Sequence, residues 1–335
     1  MLNNDAFIIV LAYPETIVPH AKERYSKFLR FAFIGSKKHV RAGHAALVLI
    51  HKSSGVLEYF DFGRYITTEP NGRVRGRETD FELNLPIVAN IKNDTVQNLD
   101  EILKFLATHP KLTHGEGTMY ASVCNAVNYN LAQDYIDKMQ NKGFIRYGAF
   151  IKDATNCARF VTDTLIESVT NDSIKKKLIK SKSFTPSTIG NVVISDTENF
   201  VYSVSDNGEI NEFDSTVRKQ NRKLFLDILK DYNPSLEGKI LPKYNDEKKD
   251  HAQWLGGLGT GAWFELYDVR SKSDYRFRRI SPYGNVDCDG IYKVNDTSFD
   301  ISSEYQFLYN SNCLFFHVEQ DSKTYRFDFI KDFKK

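Results

Sequence analysis

Gly43-His44-Ala45-Ala46-Leu47-Val48-Leu49-Ile50 is a near-continuous apolar run headed by a histidine. It breaks at Lys52-Ser53-Ser54-Gly55 and resumes from Val56 to Phe62. Two extended apolar runs around a short polar turn predict a hairpin. With Ser53 and Ser54 as the loop, His51 faces Val56, Ala46 faces Asp61 and His44 faces Gly63. Cross-strand partners share a face, and so do residues two apart. His44 and Asp61 then lie diagonally on one face, at a distance that suits a carboxylate orienting an imidazole. A one-residue change in the loop would bring Glu58 and Phe62 to that face instead. Glu58 is therefore the reserve acid.

Thr155-Asn156-Cys157-Ala158-Arg159-Phe160-Val161 reads as a helix start with a cysteine in its first turn. Asn156 or Thr155 can cap it. Val161, Leu165 and Ile166 continue an apolar face at helical spacing. A strand over Phe144 to Ile151 and a polar break at Lys152-Asp153 precede it. A thiol placed there sees the positive end of the helix dipole, which favours the thiolate. The dipole contributes only about 0.3–2 kcal/mol, too little for a strongly ionised nucleophile. An imidazolium is needed as well, and His44 is the candidate. Without it, Cys157 is an inert thiol in a half-polar helix.

The 335 residues suggest two domains, or one with a large appendage. A net charge of +2 gives no global attraction to phosphate, so nucleic acid is not an expected partner. The cysteines are Cys124, Cys157, Cys288 and Cys313. They form no CxxC pair and no dense framework, and a Cys288–Cys313 disulfide is the weaker reading. His39, His44 and His51 cluster without the partners of a zinc site. No metal or cofactor is expected. No run approaches transmembrane length, so stable membrane insertion is not expected. Ala6 to Ala12 is apolar but lacks the basic region and cleavage site of a leader, and reads as a buried strand. As written, the chain reads as cytoplasmic; a processed secreted form is the alternative.

Along the chain, Tyr13-Pro14 closes the first strand, and Pro19 to Phe31 reads as a helix or irregular arm. Gly35 to Arg41 is a basic loop, either a solvated turn or, through Arg41, a wall of a substrate cleft. Gly63 to Asp80 carries Arg64, Arg73, Arg75 and Arg77 among glycines. It can present guanidinium groups to carboxylate or phosphate, or form an exposed hairpin with solvated charges. Asn98 to Ala107 is an amphipathic helix. Ser122 caps a further helix running to about Asn141, with the rival thiol Cys124 in its first turn. The lysine-rich stretch Asp172 to Ser183 is a solvated helix face or linker. A short helix opens at Thr185-Pro186-Ser187. Asp206-Asn207-Gly208 is a hairpin turn, and a helix covers Asp214 to Lys230. From about Asp246, five to seven short alternating segments predict a small antiparallel β unit, with Asp287-Cys288-Asp289-Gly290 as a turn. The glycines at 256, 257, 259 and 261 lack the Gly-Lys-Ser/Thr of a phosphate loop.

A histidine strand followed by a cysteine that opens a helix resembles the permuted NlpC/P60 papain-like superfamily. Asn156-Cys157-x-x-Phe160-Val161 looks like the nucleophile motif of its lecithin:retinol acyltransferase-like branch. Gly43-His44-Ala45 looks like the histidine strand, and Thr185-Pro186-Ser187 like an element after the nucleophile helix. The layout also resembles an uncharacterised Bacteroidetes family. The resemblance covers about residues 1–195. It implies a permuted papain-like domain over 1–195; with the hairpin–helix connector over 196–245 and the small β domain, barrel or sandwich, over 246–335, both read from the residue pattern, the expected fold is α+β. It implies a cysteine hydrolase cleaving a peptide or acyl amide, with cell-wall peptide as the default substrate. Cys157 would be the nucleophile, His44 the base and Asp61 the orienting acid. Tyr13, Arg41, Arg64 and Asn156 are candidate substrate-binding residues. The alternatives are a thioester-forming acyltransferase and an inactive binding module. The oligomeric state is left open.

Overall fold

The computed structural model describes residues 3–19, 39–149, 151–183, 185–225, 229, 242 and 246–333. Chain order begins with β1 (Ala6–Tyr13), β2 (Ile17–Pro19), β3 (His39–Arg41), β4 (His44–His51), β5 (Leu57–Gly63) and β6 (Asn71–Arg75). The short pair β7 (Ile91–Lys92) and β8 (Thr95–Val96) leads into helices α1 (Leu99–Thr108) and α2 (Pro110–Thr113). Next come β9 (Met119–Val127), α3 (Tyr129–Asn141), β10 (Ile145–Arg146), α4 (Cys157–Ser168), α5 (Asp172–Ser181) and α6 (Thr188–Ser195). Strands β11 (Tyr202–Val204) and β12 (Ile210–Glu212) precede α7 (Val217–Phe225). The C-terminal strands are β13 (Gln253–Gly256), β14 (Gly261–Asp268), β15 (Asp274–Ile280), β16 (Val286–Val294), β17 (Gln306–Leu308), β18 (Phe315–Gln320) and β19 (Lys323–Asp332). The fold is mixed α and β with antiparallel sheets.

The first sheet has eight strands in the order β10-β6-β5-β4-β1-β9-β11-β12. Its middle strands read as unbroken apolar runs because both faces are covered. Ile8, Val10, Leu47 and Leu49 pack on the side of α3 to α6, whereas Phe7, Ile9, Leu11 and Val48 pack against α1. Each fully buried Leu, Ile, Val or Phe contributes about 1.5–3 kcal/mol, so these strands carry much of the fold's hydrophobic stabilisation. The β4–β5 register pairs Ala46 with Asp61 and Ile50 with Leu57, the pairing expected from a Ser53-Ser54 loop.

Helix α4 is buried along most of its length. Its hydroxyls bond to carbonyls one turn back: Thr162 to Ala158 at 2.7 Å, Thr164 to Phe160 at 2.8 Å and Ser168 to Thr164 at 2.7 Å. Those bonds satisfy the buried hydroxyls of a half-polar helix set in an apolar layer.

Several local expectations change. Residues 119–127 form the long strand β9, not the start of a helix. Asn128, not Ser122, caps α3, its side chain accepting from Leu131 N at 3.1 Å. The Ser122 hydroxyl instead donates to Val192 O at 2.6 Å, tying strand to helix. The strand expected over 144–151 contracts to β10, two residues paired with Gly72 and Asn71. Ser187, not Thr185, caps α6, accepting from Gly190 N at 2.9 Å. The Asp206-Asn207-Gly208 turn joins β11 to β12, with Gly208 at φ +84°. Helix α7 is described only to residue 225; Pro19 ends β2, and the rest of the arm expected over 19–31 lies outside the described residues.

The C-terminal sheet has seven antiparallel strands in the order β13-β14-β15-β16-β19-β18-β17. It is nearly closed. The Gln253 side chain on β13 donates to Tyr305 O and accepts from Phe307 N, both at 2.9 Å, across the gap between the edge strands. Closure of this kind protects edges that would otherwise pair with other chains. Asp287 to Gly290 lies within β16 and is not a turn. Its acids are tolerated there because Arg276 on β15 grips Asp289 with two bonds of 2.7 Å. Gly290 leaves room for the Phe329 ring, which an added Cβ would meet at 2.7 Å. All four cysteines are free thiols, so Cys288 and Cys313 are not bridged.

The two sheets meet at residues 64–66. Gly259 N donates to Arg64 O at 2.8 Å, and Ile66 N donates to Thr260 O at 3.2 Å. Ile66 is left-handed, at φ +48°, an unfavourable conformation for a β-branched residue that costs about 1–3 kcal/mol. Its side chain is buried in the core of the C-terminal sheet. That burial contributes about 1.5–3 kcal/mol, enough to offset the strain.

Candidate active site

The capping motif of α4 fixes the thiol. Asn156 is extended (ψ 177°), and its side-chain oxygen accepts from Arg159 N at 2.9 Å. This presents Cys157 at the first helical position, where the backbone N–H groups have no partner within the helix. The thiol is 6% exposed and lies 4.0 Å from Gly43 O. Gly43 adopts φ +73°, and an added Cβ would sit 3.0 Å from Pro14 Cα. Glycine is therefore required at the step that aims the next residue, His44.

His44 opens β4. Its Nε2 lies 3.1 Å from Asp61 Oδ2, and its ring is also in hydrogen-bonding contact with Cys157. With Nε2 on the acid, Nδ1 is the nitrogen left for the thiol. Tyr13 is directly opposite His44 on β1, and the two rings stack with centroids 6.3 Å apart at 25°.

Asp61 is fully buried and heavily bonded. Arg75 forks onto it, Nε to Oδ1 at 3.0 Å and Nη2 to Oδ2 at 2.6 Å. The hydroxyls of Tyr59 and Tyr65 each donate to Oδ2 at 3.1 Å. Tyr65 Oη also lies 3.4 Å from His44 Nε2. The Arg75 guanidinium covers the Tyr65 ring at 4.0 Å, with the His114 ring 4.9 Å from it.

These contacts set the charges. Burial alone would raise the Asp61 carboxyl, but Arg75 and His44 hold it far below the usual carboxylate range. Burial alone would lower His44; hydrogen bonds to Asp61 and Cys157 outweigh it and bring the imidazole to about 9. Burial would raise the Cys157 thiol, yet contact with His44 lowers it below the ordinary cysteine value. Both shifts favour a thiolate beside an imidazolium over the neutral pair. Tyr147 adds a hydrogen bond that also favours the thiolate.

The other expected residues fall into place differently. Glu58 faces away from Asp61 and is held by Tyr129 Oη at 2.6 Å and Arg77 at 3.0 Å. Tyr13 is 1% exposed, and its hydroxyl donates to Leu106 O at 3.3 Å. It backs the imidazole and presents nothing to solvent. Arg41 on β3 donates to Glu15 O at 2.9 Å. Arg64 is buried, with its guanidinium 4.7 Å above the Tyr147 ring. Asn156 serves the cap. Arg73 and Arg75 are neither solvated nor free for a ligand: Arg73 forks onto Asp80 with two bonds of 2.6 Å, and Arg75 is committed to Asp61. A cavity of about 490 Å³ lies beyond them, lined by residues that include Arg75, His114, Arg279 and Asp287. Neither Cys157 nor His44 lines it. Among the described residues, no group of three His, Cys, Asp or Glu could hold a metal ion. No helix among them is long and apolar enough to cross a membrane.

Nothing local in the sequence singles out Tyr59 or Tyr65, and Arg75 stands out only as one of four arginines in a glycine-rich stretch. The strand register carries the signal instead: extending the β5 register into the next strand sets Asp61 opposite Arg75, and Tyr59 shares the face of Asp61 two residues away.

Residues 8–174 match a family described as type VI secretion system effector TseH-like. Residues 252–330 match a family described as the DUF6695 C-terminal domain. A solved structure, that of the type VI secretion system effector TseH, aligns at 16% identity with a TM-score of 0.39, covering 63% of this chain and 98% of that one. No curated protein matches the chain.

Proposed function

We propose that this chain is a cysteine hydrolase of the permuted papain-like (NlpC/P60) type that cleaves an amide bond in a peptide, with cell-wall peptide as the leading substrate class. One observation carries the reading: a single imidazole joins a helix-terminal thiol to a buried carboxylate whose own charge is fixed by Arg75. The match of residues 8–174 to a papain-like effector family supports hydrolysis at the level of reaction class.

In this mechanism the Cys157 thiolate attacks the scissile carbonyl carbon, forming a C–S bond and a tetrahedral oxyanion. The free backbone N–H of Cys157 donates to that oxyanion. The His44 imidazolium gives its proton to the leaving nitrogen as the C–N bond breaks, releasing an amine and leaving a thioester. Neutral His44 then takes a proton from water, whose oxygen attacks the thioester. Collapse releases the acid and restores the ion pair. Asp61 stays ionised throughout, fixing the imidazole's orientation and balancing its charge.

The test is incubation with defined cell-wall peptides and peptide amides, with products and protein followed by mass spectrometry. The reading expects amine release and a covalent adduct on Cys157, both lost in Cys157→Ala. Product formation that survives Cys157→Ala would overturn it.

A further inference from the structure

The C-terminal sheet touches the site through two adjacent residues. Tyr65 points into the first unit, its hydroxyl on Asp61 Oδ2 at 3.1 Å and near His44 Nε2 at 3.4 Å. Ile66 points the other way, into the core of the C-terminal sheet. The backbone around them is held by that sheet, Gly259 N donating to Arg64 O and Ile66 N donating to Thr260 O. Tyr65 also forms a parallel bridge with Thr260. Gly257 fits this close approach: an added Cβ would lie 2.8 Å from Arg64 O and 2.9 Å from Ile66 N.

A second tie grips the far end of the same segment. Arg73 Nε donates to Tyr65 O at 3.0 Å and its guanidinium forks onto Asp80. Asp80 also accepts from Arg279 of β15 at 3.1 Å, and Arg279 reaches Glu82 at 2.7 Å. Cys313 N donates to Thr79 O at 3.0 Å. The C-terminal sheet therefore holds both ends of residues 64–80, the segment that supplies Tyr65 and Arg75 to Asp61. The left-handed φ of Ile66 is met where these constraints converge.

We propose that the C-terminal sheet is a clamp on the site: by fixing Tyr65 and Ile66 it aims the donors that keep Asp61 ionised and His44 aligned, so activation of Cys157 depends on its docking. Tyr65 and Ile66 are positioning residues in this scheme, not catalytic ones. The inference rests on the reading of Cys157 and His44 as a reactive pair.

The test uses the full chain and follows iodoacetamide alkylation of Cys157 against pH, with circular dichroism as the check on folding. Gly257→Ala alters only the sheet's side of the seam, and Ile66→Gly removes the plug while keeping the left-handed backbone accessible. Each is expected to move the apparent pKa of Cys157 up by about one unit, toward the free-cysteine value of about 8.5, and to slow alkylation at pH 7 several-fold. Ile330→Ser, an exposed position on β19, should leave the profile unchanged. If the two seam variants fail to fold, Tyr65→Phe decides, because it removes one hydroxyl and no packing; its profile should shift in the same direction. Folded seam variants, or a Tyr65→Phe protein, with profiles superimposable on wild type would overturn the clamp alone. A wild-type profile indifferent to His44→Ala would instead overturn the hydrolase reading, and the clamp with it.

Discussion

Cys157 and Cys124 are both buried, at 6% and 0% exposure, and both pack in the same apolar cluster. Their thiols are nevertheless pushed in opposite directions. Burial drives Cys124 up to about 11, while Cys157 is lowered against the same penalty. Burial therefore does not distinguish them. Cys124 sits mid-strand in β9, opposite Ile8, with its backbone spent in the sheet. Cys157 sits at a helix start with free backbone donors and a histidine whose own charge is secured by Asp61. In the proposed site the thiol is activated by its partner, and that partner is held by a second layer of donors on the acid.

The largest test of this contrast is deletion of each sulfur. Cys157→Ala should lower amide hydrolysis by about 10⁴–10⁶-fold, measured as product released per enzyme, with the melting temperature nearly unchanged. Next is the acid. Asp61→Asn should cost about 10²–10⁴-fold in kcat, since an amide neither balances the imidazolium nor fixes its orientation. It also strands Arg75, fully buried beside it. Denaturant titration should show a loss of about 3–5 kcal/mol, as for a broken buried pair. Restoring catalysis without restoring stability, or the reverse, would separate the two roles of Asp61.

The pH profile is the third. His44 has its folded pKa raised to about 9, above the unfolded value of about 6.5. Its contribution to stability is complete below pH about 6.5 and is lost as the pH rises through about 9. The proton needed by the leaving amine disappears over the same range, so kcat/KM should fall on an alkaline limb near pH 9. Asp61 behaves oppositely. Its folded pKa is depressed, so its contribution is present above about 3.9 and is lost only as pH falls through the lower folded value. The smallest effect belongs to Cys124→Ala. Thermal or denaturant unfolding should show about 1–2 kcal/mol lost to a small cavity, with hydrolysis within about threefold of wild type.

The sequence was most legible where one pattern had one structural solution. The apolar runs at Ala6–Tyr13 and His44–Ile50, the Ser53-Ser54 register and the Asn156 cap each followed from local periodicity and capping. Residues 119–127 misled because Ser122 resembles a cap and Cys124 a first-turn thiol. Tyr120, Val123 and Val127 carry helical spacing, and only the pairing with β1 and β11 makes the segment a strand. Arg73 and Arg75 misled for a related reason. Charged side chains in a glycine-rich stretch read as solvated, and only the partners Asp80 and Asp61 reveal that both are buried. The tie between Ile66 and the C-terminal sheet had no local signal at all, because its partners lie some 190 residues away at Gly257 to Thr260.

In the proposed mechanism the activation of Cys157 depends on His44. Its most direct test is the pH dependence of iodoacetamide alkylation at each cysteine, read by peptide mass mapping in wild type and in His44→Ala. The expected result is fast labelling of Cys157 with an apparent pKa well below about 8.5, a return toward that value in the variant, and almost no labelling of Cys124. Cys157 that labels as slowly as Cys124, or at a rate untouched by His44→Ala, would contradict it.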